Sequence, residues 1–203
     1  MGRSGKILSA IAVVILLAAL GLIVFVEFPG QSVSSSTQDA GAIATAPGLT
    51  KVDTPPVPAG EMAPGFTLTD LKGQKISLSS LRGKVVFLNI WATWCPPCRE
   101  EMPSIESLYK EFHKDGNFVI LAVSQDVAGA KAVIPYVKQN GLTFTVLLDP
   151  RNAVGEAYSV SGIPETFIID QQGRIVAHHL GPYDWSNSEI HDALQELVNS
   201  KEG

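Results

Sequence analysis

Cys95 and Cys98 are the only cysteines in the chain, and Pro96 and Pro97 separate them. The thiolate is the attacking species in thiol-disulfide exchange, so a pair this close can alternate between dithiol and disulfide: one sulfur attacks a partner's disulfide and the other resolves the mixed disulfide. A purely structural bridge is a poor explanation, because closing so short a loop removes little entropy from the unfolded chain. Two cysteines are also too few for a closed zinc site built on thiolates alone, which needs four ligands. Val85 to Trp91, just upstream, is nearly all apolar, as a strand buried on both faces would be. Downstream, residues 96–113 carry Met102, Ile105, Leu108, Tyr109 and Phe112 at spacings of three and four, the mark of an amphipathic helix. Cys95 therefore falls where a strand ends and a helix begins, and there unpaired N–H groups and aligned peptide dipoles favour negative charge. Cys98, three residues on, faces the same way. Pro96 and Pro97 fit a helix opening but withhold two N–H donors. The Cys95 thiolate is thus expected to be less stabilised than in strongly oxidising CxxC proteins, which lowers the reduction potential and favours a reductant.

The elements that must hold this dithiol alternate along residues 61–203. Phe66 to Thr69 and Lys75 to Leu78 predict a hairpin around Lys72-Gly73. After the buried strand and the helix come a strand at 118–123, a helix near 129–140, a strand at 143–147, a short helix near 152–158, strands at 166–170 and 174–180, and a last helix near 187–199. Strands alternating with helices imply an α/β domain, a central sheet flanked by helices on both faces. The four histidines, His113, His178, His179 and His191, form no ligand pattern, and surface placement is expected for them. His178 and His179 are neighbours on a strand and so point to opposite faces.

Ahead of this domain, residues 1–6 form a basic leader with Arg3 and Lys6, and the twenty residues from Ile7 to Val26 carry no charge. That length spans a bilayer as an N-terminal transmembrane helix. The run is longer than a signal-peptide core, and Glu27-Phe28-Pro29 follows it, which favours an uncleaved anchor; the rival is a long signal peptide cut near Ala44-Thr45-Ala46. The basic residues precede the span, so the segment after it is expected outside the cytoplasm of a bacterial cell, with a single pass through the inner membrane. Residues 27–60, rich in Ser, Ala, Gly, Thr and Pro, read as a tether reaching about 30 Å. The first 60 residues hold three basic and three acidic side chains, so the whole net charge of -5 falls on the domain. Nucleic acid is not expected as a partner of so acidic a domain.

Three motifs together carry a resemblance: Ala63-Pro64-Gly65-Phe66, the run Asn89 to Pro103 around the cysteines, and Gly162-Ile163-Pro164-Glu165-Thr166-Phe167. Over about residues 61–200 the chain resembles the membrane-anchored extracytoplasmic thioredoxin-like family of the TlpA, ResA and CcmG type. The resemblance implies a thioredoxin-like fold with a central mixed sheet, an N-terminal β-hairpin and an inserted helix. It implies a redox-active Cys95–Cys98 disulfide; no other cofactor and no metal are expected. A cis Ile163–Pro164 bond against that disulfide is also implied. A proline there donates no backbone hydrogen bond and leaves Ile163 to pair with an extended substrate. Asn89 stands where cytoplasmic thioredoxin has a buried Asp, and Asn cannot accept a proton. Glu101, three residues after Cys98 on the same helix face, matches a glutamate in ResA and CcmG and is expected to take the Cys98 proton. Its pKa should rise if it is buried. Glu165 matches a glutamate beside the cis-proline of the cytochrome-maturation members; contact with substrate or cysteines and a solvated strand edge are both open for it. Trp94 is expected to flank the disulfide as a contact surface and Trp91 to lie in the core, while Arg99 and Glu100 read as helix-surface charges.

The function expected is an extracytoplasmic thiol-disulfide oxidoreductase that reduces exported substrates; the resemblance implies the apocytochrome c CxxCH motif as the foremost of them and a CcdA- or DsbD-type membrane protein as electron donor. Its alternatives are a disulfide-forming oxidant on the same fold and a Sco-like copper-delivery module, against which the CxxC spacing counts. A thiol peroxidase would place one cysteine after Pro and Thr near a strand end, a pattern this chain lacks.

Overall fold

The computed structural model describes residues 59–114 and 116–200. The basic leader, the apolar span 7–26 and the tether to residue 58 lie outside the described residues. Among the described residues no helix is long and apolar enough to cross a membrane.

Among the described residues, seven strands form one sheet: β1 (Thr67–Asp70), β2 (Lys75–Ser77), β3 (Val85–Trp91), β4 (Phe118–Ser124), β5 (Thr145–Leu148), β6 (Glu165–Ile169) and β7 (Ile175–Leu180). The helices are α1 (Pro96–Phe112), α2 (Ala130–Gln139), α3 (Ala153–Ala157) and α4 (Ser188–Asn199), with a 3-10 turn at Leu78–Leu81. Across the sheet the order is β2-β1-β5-β4-β3-β6-β7. β3, β4 and β5 run parallel, whereas β6 and β7 on one side and the hairpin β1–β2 on the other pair antiparallel. This is a thioredoxin-like mixed sheet with an N-terminal hairpin and an insertion, α2 to α3, between β4 and β6. Gly73, at φ +83°, makes the hairpin turn in a backbone region that favours glycine.

β3 is buried along its whole length, which explains why all of its residues but Asn89 are apolar. Successive side chains point to opposite faces. Val85, Phe87 and Trp91 join one core with Cys95, Cys98, Met102, Ile105 and Leu108 of the catalytic turn and α1, and with Ile190 and Leu194 of α4. Val86, Leu88 and Ile90 join a second core with Leu78, Val154, Tyr158 and Phe167. Each such side chain contributes about 1.5–3 kcal/mol relative to exposure. Asn89 has the parity of Phe87 and Trp91, so this one polar residue of β3 faces α1.

β3 and β4 end together, in register from Val85 with Phe118 to Trp91 with Ser124. β6 runs the other way and pairs Glu165 with Ile90. The carboxyl end of β3 therefore gathers the catalytic turn, the loop after β4 and the start of β6.

Candidate active site

Cys95 caps α1 with extended backbone angles, and the Cys98 N–H, the third of the helix, donates to Cys95 Sγ at 3.2 Å. The two cysteines are joined as a disulfide with Cα atoms 5.3 Å apart. Pro96 and Pro97 fill the first two helical positions, so of the first three helical residues only Cys98 offers a backbone donor. Both sulfurs are almost wholly enclosed, and Trp94 beside them is 65% exposed. The Ile163–Pro164 bond is cis, and the Ile163 carbonyl oxygen lies 3.6 Å from Cys95 Sγ. Cys95, Cys98, Trp94, Pro96, Pro97, Ile163 and Pro164 thus come together at one place on the surface. Trp91 lies in the core, and Arg99 is a surface residue whose guanidinium rests 5.9 Å from the Tyr136 ring centre.

Glu101 is 2% exposed, which excludes a merely solvated charge at the start of α1. Asn89 Nδ2 donates to its Oε1 at 2.8 Å and to Thr166 Oγ1 at 3.0 Å, and Trp185 Nε1 donates to Oε2 at 3.3 Å. Burial raises the Glu101 carboxyl from 4.5 to about 7, and the donors Asn89, Trp185 and the Tyr183 backbone pull it only part of the way back. A carboxyl with such a proton affinity, one helical turn from Cys98, can accept and return a proton near neutral pH.

Glu165 and His178 correct the sequence-based expectation. Glu165 is 1% exposed, so it is not a solvated edge residue. His178, expected at the surface, has a side chain only 7% exposed, and its Nε2 lies 2.5 Å from Glu165 Oε1. The other Glu165 oxygen accepts the Ser161 N–H at 3.2 Å.

Three further residues were not legible as site residues. Trp185 and Thr166 complete the shell around Glu101 and Asn89. Asp126, buried in the loop after β4, accepts from Thr93 N–H at 2.9 Å, Thr93 Oγ1 at 2.6 Å and Ser124 Oγ at 2.8 Å. It clamps the segment leading into Cys95. Asp126→Ala would strand those donors, so a loss of about 2–3 kcal/mol is expected. Urea unfolding at pH 7 measures it, and an unchanged midpoint would refute the clamp.

A sequence profile of the AhpC/TSA family matches residues 59–178. The chain is 39% identical over 139 residues to a thiol-disulfide oxidoreductase ResA of Bacillus cereus, covering 68% of this chain and 78% of that protein. To ResA of Bacillus subtilis (strain 168) it is 41% identical over 136 residues, covering 66% and 73%. Among solved structures, a thiol:disulfide interchange protein DsbE from Chlorobium tepidum superposes with a TM-score of 0.64 at 28% identity, covering 70% of this chain and 99% of that one.

Proposed function

The chain belongs to the AhpC/TSA family and is a thiol-disulfide oxidoreductase of the ResA and DsbE type, and from that premise we propose that it works outside the cytoplasm as a dithiol reductant of exported proteins. The observation that carries the direction is that, among the described residues, the Cys98 N–H is the single backbone donor at Cys95 Sγ, since the prolines at the next two positions supply none. A thiolate with one donor gains less from the helix start than a thiolate with several, and a less stabilised dithiol gives up its electrons more readily.

In the reaction, the Cys95 thiolate attacks one sulfur of a substrate disulfide. The substrate's S–S bond breaks, a mixed disulfide forms, and the first substrate thiolate leaves. Glu101 takes the proton from the Cys98 thiol, whose sulfur attacks Cys95 Sγ and expels the second substrate thiolate. The protein ends as the Cys95–Cys98 disulfide, oxidised by two electrons, and the substrate has gained both. Turnover requires a reductant; a membrane dithiol carrier of the CcdA or DsbD type, reached from an anchor at 7–26 through the tether, fits that need. The CxxCH disulfide of apocytochrome c is the substrate we assign, since the resemblance to the cytochrome-maturation branch and the exported placement both favour it.

The test is the equilibrium of the purified domain with glutathione. A potential near that of thioredoxin, about -270 mV, is expected; one near that of DsbA, about -120 mV, would make the protein an oxidant.

A further inference from the structure

Glu165 and His178 lie on the sheet face turned away from the dithiol. The register shows this: Glu165 pairs with Ile90 and Phe167 with Leu88, and residues directly opposite share a face. Ile90, Leu88 and Phe167 all belong to the second core, whereas Cys95, Cys98 and Met102 belong to the first. Glu165 therefore has no direct route to the sulfurs from its own face. His178 is paired with Phe167 across β6–β7 and stacks on its ring at 4.7 Å, which aims Nε2 along the strand at the Glu165 carboxyl.

What Glu165 does hold is the segment leading to the cis-proline, through the Ser161 N–H. The residue just after β7 holds the same segment a second time, since Gly181 N–H donates to the Pro164 carbonyl at 2.8 Å. Between these two ties stands Ile163, whose carbonyl faces Cys95 Sγ. The pair is a costly way to fill space. Two ionisable groups are desolvated, and His178 Nδ1 has no partner among the described residues, where a pair of apolar side chains would leave no polar atom stranded. The group that His178 contributes and an apolar ring could not is its Nε2 donor.

We propose that His178 is a positioning residue for substrate binding: through Glu165 it fixes the Ser161–Pro164 segment, whose Ile163 backbone meets the incoming peptide beside Cys95. This rests on the thiol-disulfide exchange activity but not on the direction in which electrons flow. Losing one charge-assisted hydrogen bond lets the segment shift, and such a shift weakens peptide binding rather than the chemistry of the sulfurs.

The experiment measures steady-state reduction of a synthetic peptide containing a CxxCH disulfide, with dithiothreitol regenerating the dithiol. His178→Phe, which keeps a ring over Phe167 but has no donor, is expected to raise KM about 10-fold with kcat within about 2-fold. His178→Gln, whose amide nitrogen can reach the carboxylate, is expected to restore KM to within about 3-fold of the parent value. Should His178→Phe not fold, His178→Asn takes its place, since it is polar but too short to reach, and the same rise in KM is expected. An unchanged KM in the donor-less variant, a fall in kcat without a rise in KM, or no recovery in His178→Gln would each overturn the proposal. The glutathione equilibrium of the same variants keeps the two readings apart: an oxidant-like potential would defeat the reductant assignment while leaving the KM comparison to stand on its own.

Discussion

Cys95→Ser is expected to abolish exchange, with a loss of at least about 10³-fold in peptide reduction, because the hydroxyl that remains is not a nucleophile toward disulfides at neutral pH. Cys98→Ser is expected to behave differently. It retains the attacking sulfur and the Cys98 backbone N–H that donates to it, but nothing resolves the mixed disulfide, so substrate stays attached through Cys95. Peptide-reduction kinetics of purified Cys95→Ser measure the first effect, and non-reducing electrophoresis with mass spectrometry of cells carrying Cys98→Ser reads out the second. A captured apocytochrome c, linked through its CxxCH cysteines, supports the assigned substrate, and a set of captured proteins without it refutes that assignment. Exchange that survived Cys95→Ser would remove the basis for the whole mechanism.

Glu101→Gln is the second large effect, and it separates two consequences of one buried carboxyl. For catalysis, a group with a pKa of about 7 is half ionised near neutrality, and positioned proton transfer typically contributes about 10²–10⁴-fold. The resolving step is expected to slow about 10²-fold and to lose its inflection near pH 7, as stopped-flow tryptophan fluorescence would show; an inflection that persisted would transfer the proton to another group. For stability the sign is opposite. The folded carboxyl holds its proton up to about 7 while the unfolded chain releases it near 4.5, so stability falls as pH rises through that window. Above about pH 7 the penalty is complete, roughly 3–4 kcal/mol at about 1.4 kcal/mol per pKa unit. Glutamine never ionises, but its amide N–H₂ cannot accept from Trp185 or Tyr183, so the net gain at pH 8 is expected to be about 1–2 kcal/mol. Thermal unfolding at pH 8 and pH 4 measures it: the variant should melt higher at pH 8, and the advantage should vanish at pH 4.

The parts of this protein that were legible in the sequence are those whose cause is local. The nearly all-apolar run of β3 announced a strand with two covered faces, and the spacing of Met102, Ile105 and Leu108 announced α1. Glu101 was reachable because its relation to Cys98 is one turn of one helix. His178 was not, because its burial depends on how β7 lies beside β6: the strand is mostly half-buried, with no clean alternation, and its carboxylate partner sits 13 residues away. Trp185 belongs to neither a strand nor a helix, and it meets Glu101 only because the chain returns over α1 before α4, 84 residues later. Asp126 could not be told from any acidic loop residue until β4 was placed in register with β3 and Thr93 came within reach.

The carboxyl end of β3 draws its working parts from four stretches of chain, around residues 93–101, 124–126, 161–166 and 183–185, and this governs when the protein becomes reactive. Pairing Asn89 with Thr166 closes a loop of 77 residues, and contacts so distant in sequence are slow to form because the chain must surrender loop entropy before they yield anything. A chain that has not finished folding would carry the CxxC tetrapeptide with neither the buried carboxyl nor the cis-proline segment beside it. Its sulfurs would be ordinary thiols, open to any passing disulfide, and selective electron transfer would begin only when β6 had settled against β3.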